Sequence, residues 1–478
     1  MTRIIAGALL LLLAALAGHA QNAGRPDVLF IAIDDLNDWV GVLGGHPQAK
    51  TPNIDALAAR GMVFANAHAS AAICNPSRTA LMLGLRPSTT GIYENDPSWL
   101  DHEHLADLPT IPRYFRDHGY RTLGAGKVFH AHTYYRAAFS GYQDARAWDA
   151  FYPSFERQLP DEVGPPERPA NGNPINIGFD WSHVVADDRA MGDGQVAAWI
   201  SERLLEPTDR PRFVAAGIYR PHPPWYLPQA YFDAHPLPEI VLPTVLENDL
   251  DDVSEIGREF TQGAFMPPLD IHEWVVEANK WAEGVQAYLA SVTFADAMVG
   301  QIVDALDRSG RADNTIIALW SDHGWHLGEK QRWRKQTLWE ESTRVPLIFV
   351  APGVTAPGSR SKRTVSLLDL FPTLAELAGI ETPEHLEGTS LVPLLENSDL
   401  EWNRPAITTH HIGNHAVRSE RFRYIRYYDG SEELYDRDTD PNEWHNLADD
   451  PEYAEVKADL ASWLPSEDAP DLRFVDEP

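Results

Sequence analysis

Three short blocks of this 478-residue chain hold residue types that could do chemistry together. Asp34-Asp35 follows the apolar run 28–33, and Asp322-His323 follows the apolar run 315–320. Three carboxylates and an imidazole at strand ends, once brought together, make an oxygen-rich site for a hard divalent cation such as Ca²⁺ or Mg²⁺. Either pair alone says little, because acidic residues commonly cap strands and open loops. The third block is Cys74-Asn75-Pro76-Ser77-Arg78. Pro76 favours a helix start that runs on through 79–83. Cys74 is then expected just before the helix N-terminus, where free N–H groups and the dipole favour negative charge. Arg78, four residues on, shares the helical face and is placed to steady an anion at position 74. A thiolate nucleophile makes chemical sense there. The polar neighbours Asn75 and Ser77 speak against a plain core cysteine.

Elements must position these blocks. The run 28–33 (VLFIAI) is continuous, apolar and rich in β-branched residues, as in a strand buried on both faces. Thr51-Pro52 opens a helix that Ile54, Leu57 and Ala58 line and Gly61 closes. The pattern continues with a helix at 111–119, a strand at 120–123 and a buried strand at 213–219. A long amphipathic helix at 281–306, strands at 315–320 and 346–350 and a helix at 367–377 complete it. Such alternation predicts an α/β fold with a large, mostly parallel central sheet flanked by helices. Ligands of such sheets gather beyond the carboxyl ends of the strands, so the segments after residues 33, 219 and 320 are expected on one cleft. Two irregular stretches rich in Pro, Gly and aromatics, 131–193 and 221–274, are long for plain connections and are expected to shape a substrate site. After residue 401 the pattern changes to short strands around Val417, Phe422, Tyr424 and Ile425, a turn-like run at 433–447 and a helix at 453–463. A small C-terminal α+β subdomain is expected. The implied division is a signal segment at 1–20, a catalytic domain at 25–395 and the subdomain at 396–478.

Hydrophobic residues make up 44% and charged residues 23%, which excludes a disordered chain, a coiled coil and a multi-span membrane protein. Lys and Arg total 39 against 70 Asp and Glu, a net charge of −31 that repels phosphate backbones, so no nucleic-acid partner is expected. Screening confines that field to about 10 Å, so a local basic pocket can still hold a polyanion. Arg3 precedes the apolar run 4–17, and Gly18 and Ala20 are small, as in a secretory signal cleaved near Ala20. That run is short of the ~20 residues a membrane span needs. Export to a periplasm or the medium is expected, without stable membrane insertion. Cys74 is the single cysteine and has no internal disulfide partner.

CNPSR at 74–78 resembles the C-x-P-S-R signature of type I sulfatases, whose cysteine a formylglycine-generating enzyme converts into formylglycine. Further marks are Asp34-Asp35, TPNIDALAARG at 51–61, GKVFH at 126–130, RPH at 220–222, SDHGWHLGE at 321–329, and Lys335. Together they run from Asp27 to about Trp463. DDLNDWVGVLGGH, GKVFH and Asp322-His323 look most like the iduronate-2-sulfatase branch. As in that branch, His323 stands where many members have Asn, and two residues rather than one separate Lys127 from His130.

The resemblance implies an alkaline-phosphatase-like fold and a sulfuric ester hydrolase. It also implies Ca²⁺, with Mg²⁺ the alternative, held by Asp34, Asp35, Asp322, His323 and position 74. In the implied mechanism the hydrated aldehyde made from Cys74 attacks sulfur with help from Asp322, and a sulfated enzyme forms. His130 then takes the proton of the second hydroxyl as sulfate is expelled. Lys127 and Arg78 would hold position 74, while His222 and Lys335 would bind sulfate oxygens, one of them protonating the departing alkoxide.

The implied substrate is a sulfated carbohydrate, an oligosaccharide or a polysaccharide under degradation. Trp225, Trp325, Trp333 and Trp339 lie in or beside the cleft segments, where indoles stack on sugars, although large aromatics also fill cores. His326, Arg334 and Trp225 are the leading substrate-binding candidates. Arg86, Arg332, His410, His411 and His415 are further candidates for a uronic carboxylate or a second sulfate. Two other functions compete: a phosphomonoester, phosphodiester or phosphonate hydrolase of the same superfamily, and a catalytically dead carbohydrate-binding relative. The joint presence of Cys74, Arg78, Lys127, His222 and Lys335 speaks against the dead relative.

Overall fold

A computed structural model describes residues 24–131, 143–174, 178–262 and 271–474, so the expected signal segment lies outside the described residues. Strand β1 (Asp27–Ile33) is buried along its whole length, which is why it reads as an unbroken apolar run. It lies inside an eight-stranded sheet with β2 (Met62–His68), β3 (Arg121–Gly126), β4 (Ala150–Tyr152), β5 (Arg212–Ile218), β6 (Thr315–Ser321), β7 (Arg344–Val350) and β8 (Ser359–Ser366). Their order is β8-β2-β7-β6-β1-β5-β3-β4. Strand β7 is antiparallel to both of its neighbours and the other pairings are parallel, so the sheet is mixed and mostly parallel.

Successive side chains of β1 point to opposite faces, and each face seeds one apolar layer. Leu29, Ile31 and Ile33 pack with helices α1 (Pro52–Ala58), α4 (Gly192–Leu205) and α5 (Trp281–Arg308). Val28, Phe30 and Ala32 pack with α2 (Cys74–Leu83), α3 (Ile111–Asp117) and α6 (Leu370–Leu377). Helix α5 is long and apolar enough to cross a membrane, yet 67% of its most apolar window is buried inside the protein, as befits a core helix.

The order of strands decides where the chemistry goes. Strands β6, β1, β5 and β3 are parallel neighbours: Ile33 lies opposite both Ser321 and Ile218, and Gly126 opposite Gly217. The residues that follow each strand therefore leave the sheet at one edge. Because β7 is reversed against both neighbours, β2 runs with this group and delivers the chain toward α2 at the same edge. The approach of β3 to β5 needs glycine. A Cβ at Gly217 would lie 2.2–2.5 Å from the backbone of Lys127, whose N–H donates to the Gly217 carbonyl at 3.0 Å.

The C-terminal part is an antiparallel meander of β9 (Ala406–Thr409), β10 (His415–Arg418), β11 (Phe422–Arg426) and β12 (Glu432–Asp436), with α7 (Ala454–Ala461) against it. Buried ion pairs tie it to the segment after Lys335. Arg418 Nε donates to Glu340 Oε2 at 3.0 Å, and Arg423 bonds Glu340 and Glu443. Two expectations need correction. The strand expected at 120–123 runs from Arg121 to Gly126. The stretches expected to be irregular contain β4 and the pair Trp181–Val184 with Trp225–Pro228. These strands have only three or four residues each and exist through partners that the fold supplies, which no local pattern announces.

Candidate active site

Cys74 is the first residue of α2, with Ile73 in extended conformation as its cap, one position further into the helix than the sequence suggested. Its sulfur lies 3.0 Å from Lys335 Nζ, 3.3 Å from His323 Nε2 and 3.8 Å from Lys127 Nζ. His130 also hydrogen-bonds the sulfur. Burial pushes the thiol up, but Lys127, Lys335 and His323 outweigh it and hold Cys74 well below its ordinary value. Position 74 is therefore a place built for negative charge.

A cage of carboxylates surrounds the same point. The ligand atoms of Asp34, Cys74, Asp322 and His323 lie within 4.8 Å of one another, and so do those of Asp34, Asp35, Cys74 and His222. Asp35 has φ +60°, a left-handed conformation that turns it back toward Asp34 and Asp322; its N–H donates to Asp322 Oδ1 at 3.2 Å. The hydroxyl of Tyr288 donates to the Asp35 carbonyl at 2.8 Å and accepts from the Asn37 N–H at 3.0 Å, which pins that turn.

This donor set fits a divalent cation. Asp35 Oδ2 is buried with no hydrogen-bond partner among the described residues, and His222 Nε2 lies 3.9 Å away. Burial, reinforced by Asp34, pushes Asp35 up to about 7 against the pull of Lys335. A carboxylate in that state is relieved by positive charge. Asp322 is held below the ordinary carboxylate range: burial opposes ionisation, and Arg78 and His323 overcome it. His323 is raised to about 8, Asp322 outweighing burial. Its Nδ1–H points at the Gly324 carbonyl, 3.1 Å away, which leaves Nε2 facing the cage as a ligand nitrogen requires.

Every residue predicted for the cage or the nucleophile is present at this one edge, but Arg78 does a different job from the one expected. Its Nε donates to Asp322 Oδ2 at 2.8 Å, its Nη2 to Asp34 Oδ1 at 3.2 Å, and its Nη1 to the carbonyls of Lys127 and Val128. The guanidinium is spent on orienting two cage carboxylates rather than on an anion at position 74. Lys127 bridges the cysteine and Asp34, and Lys335 bridges the cysteine and Asp35. Ser77 and Tyr288 were not anticipated. Ser77 donates to the Asp322 carbonyl at 2.5 Å and sat inside the CNPSR block, whereas Tyr288 lies mid-helix with no local signal.

The substrate-binding candidates fare differently. Trp225 is wholly buried among Phe179, Trp181, Tyr288 and Trp325, and its indole N–H is taken by the Pro221 carbonyl, so it offers no face to a sugar. Trp325, Trp333 and Trp339 are equally buried. His326 is buried too, bonded to Thr337 Oγ1 at 2.8 Å and packed on Trp339, so it supports the loop instead of meeting substrate. Arg332 donates to the carbonyls of Lys335 and Thr261. Arg334 is half-buried, with φ +83°. Arg86 pairs with Glu387 and His415 with Asp468.

The sulfatase family profile matches residues 26–380, and the profile described as the C-terminal part of N-sulphoglucosamine sulphohydrolase matches residues 328–469. A sulfatase of Formosa agariphila is 38% identical over 463 residues, covering 94% of this chain and 88% of the relative. Human iduronate 2-sulfatase is 29% identical over 535 residues, covering 91% and 94%. The crystal structure of the phosphonate monoester hydrolase of Agrobacterium radiobacter matches with a TM-score of 0.73 at 25% identity, covering 92% of this chain and 94% of the other. The sheet places the chain on an alkaline-phosphatase-like fold, with a buried cluster of carboxylates, imidazole and thiol at one edge that could hold a metal ion. The chain belongs to the sulfatase family and is a sulfuric ester hydrolase. Sulfatases as a family use a metal and a formylglycine made from cysteine, and the cage around Cys74 suits both.

Proposed function

We propose that this enzyme is an exported, formylglycine-dependent, calcium-requiring sulfatase that removes sulfate from a sulfated carbohydrate. The observation that carries the proposal is Cys74 held between Lys335, His323 and Lys127 above a cage of carboxylates. When bound, the cation would neutralise and polarise the sulfate ester, and the aldehyde made from Cys74, once hydrated to a geminal diol, would supply a nucleophilic hydroxyl at that position. The oxygen-rich donor set suits Ca²⁺ and Mg²⁺ alike, and the family resemblance favours Ca²⁺.

The chain's own residues divide the remaining work. Lys127 and Lys335 place two ammoniums beside position 74, where they hold negative charge as it develops. Burial keeps His130 below its ordinary value, so near neutral pH it is uncharged and able to accept a proton from the group at position 74. His222 points Nδ1–H at the Pro223 carbonyl, 2.6 Å away, leaving Nε2 toward Asp35 and the cleft. That nitrogen, carrying a proton when the ring is imidazolium, is the proposed proton donor to the departing alkoxide.

Replacing His222 with alanine is accordingly expected to lower kcat/KM on a sugar or alkyl sulfate by on the order of 10²–10⁴. Much less should be lost on an aryl sulfate, whose leaving group needs no proton. Equal losses on both esters would remove His222 from that role.

A sulfated carbohydrate is supported by the similarity to iduronate 2-sulfatase and by the C-terminal profile of N-sulphoglucosamine sulphohydrolase, and the iduronate type by the first of these alone. The test is a turnover screen of defined sulfated oligosaccharides, 2-sulfated uronides among them, beside aryl sulfate, choline sulfate and a phosphonate monoester. Sulfate release from an oligosaccharide is the expected result. Faster phosphonate turnover would overturn the sulfatase proposal, and activity confined to choline or aryl sulfate would overturn the carbohydrate.

A further inference from the structure

Beside this cage a second set of metal-ligating side chains closes on itself. Glu94, His410 and His411 place one ligand atom each within 4.8 Å of one another. His410 and His411 are buried, and the Glu94 side chain is 12% exposed. Glu94 Oε1 lies 2.6 Å from His411 Nδ1, and the two imidazole rings stand 4.1 Å apart at 42°. His410 Nδ1 is buried without a hydrogen-bond partner among the described residues. A buried ring nitrogen left so has lost water and gained nothing in exchange.

The backbone explains how consecutive histidines come to share one point. Neighbours in an extended strand point to opposite faces. His411 instead has φ +54°, and the His410 N–H donates to the Asn414 carbonyl at 3.0 Å, closing a tight turn between β9 and β10. That turn brings both imidazoles to the Glu94 carboxylate, which arrives from the segment after α2. The Glu94 carbonyl accepts from Asn75 Nδ2 at 3.0 Å, and Asn95 Oδ1 accepts from the Asn75 N–H at 2.9 Å. The cluster is thus joined to position 74 through one residue.

Charge and donor type decide what it would take. A carboxylate at the focus repels a sulfate or uronate. Two cations near it among the described residues are engaged elsewhere: Arg332 donates to the Lys335 and Thr261 carbonyls, and Arg473 pairs with Asp471. Two imidazole nitrogens and one carboxylate oxygen are a borderline donor set, suited to Zn²⁺ rather than to Ca²⁺ or Mg²⁺. Tetrahedral ligands at ordinary Zn²⁺ bond lengths stand ~3.3 Å apart, between the 2.6 Å of the Glu94–His411 contact and the 4.8 Å that bounds the set.

We propose that Glu94, His410 and His411 form a second metal centre, which binds one Zn²⁺ beside the carboxylate cage and leaves a coordination position for water. The proposal is independent of which ester the enzyme hydrolyses. It is tested on the matured full-length protein with Ca²⁺ saturating, equilibrated in a zinc buffer at micromolar free Zn²⁺ and desalted, with bound metal read by mass spectrometry. One zinc per chain is expected in the wild type and in Cys74→Ala. In Glu94→Gln and His410→Ala affinity should fall at least tenfold, read by competition with a chromophoric chelator. Zinc should also raise the Tm of the wild type and of Cys74→Ala but not of the two site variants. Glu94→Gln, at the partly exposed edge, carries the test if His410→Ala fails to fold. Absence of bound zinc in the wild type, or equal zinc in wild type and Glu94→Gln, overturns the proposal.

Discussion

Replacing Cys74 with alanine is expected to abolish sulfate release, by on the order of 10⁵-fold or more, while the protein stays folded. The loss follows from geometry. Lys335, His323, Lys127 and His130 all converge on this one side chain, and no neighbour can substitute for it. The nearest hydroxyl of the same helix, on Ser77, is committed to the Asp322 carbonyl. The tolerance has its own cause. Removing the sulfur strands neither ammonium, because Lys127 still pairs with Asp34 and Lys335 with Asp35. What remains is one small buried group, worth about 1 kcal/mol. Sulfate release and thermal unfolding measured on the same preparation check both halves. Mass spectrometry of the wild-type peptide around position 74 should show the thiol replaced by an aldehyde, and full activity with an intact thiol would refute the mechanism.

The second large effect belongs to Asp322, where alanine should remove both function and stability. Activity is expected to fall beyond about 10³-fold with the cage carboxylate gone. Stability should fall by about 3–5 kcal/mol, the usual consequence of breaking a wholly buried ion pair. Arg78 loses the acceptor of its Nε–H, and the backbone N–H groups of Asp35 and His323 lose theirs. Asparagine at the same position keeps the shape and most of those acceptors, so Asp322→Asn should recover much of the stability and little of the activity. Urea unfolding, calcium titration and sulfate release separate the two contributions. The pH dependence has a definite sign. The folded-state value of Asp322 is depressed, so its contribution is present above the ordinary 3.8 and is lost as pH falls below it. The difference in stability between wild type and Asp322→Ala should therefore shrink in acid. Retention of activity within tenfold in Asp322→Asn would remove this carboxylate from the metal cage.

How much of this was readable in advance differs from residue to residue. Strand β1 was legible because burial on both faces writes itself as an uninterrupted apolar run, and the alternation with helices implied a sheet with one functional edge. Asp34, Asp35, Asp322 and His323 were legible for a related reason. A residue directly after a buried strand is placed by the strand itself, so knowing the sheet is nearly knowing the position. Cys74 to Arg78 form one turn of one helix, and a single turn holds its side chains at spacings that local sequence determines.

Other features had no local signature because their meaning comes from distant segments. The guanidinium of Arg78 faces two carboxylates from two other strands, and only the order of those strands turned it from an anion holder into a brace. Trp225 and His326 stood in the right segments for a sugar site, but whether a side chain faces a cleft or the core depends on what packs over it. Tyr288 steadies Asp35 from the middle of a core helix, and Glu94 meets two histidines of another sheet. Which residues stand at strand ends and helix starts follows from short-range geometry and from the burial of continuous apolar runs, and both are local physics written in the chain. Which of those residues touch is settled by the folded chain as a whole, because burial, desolvation and charge pairing depend on atoms brought from far away.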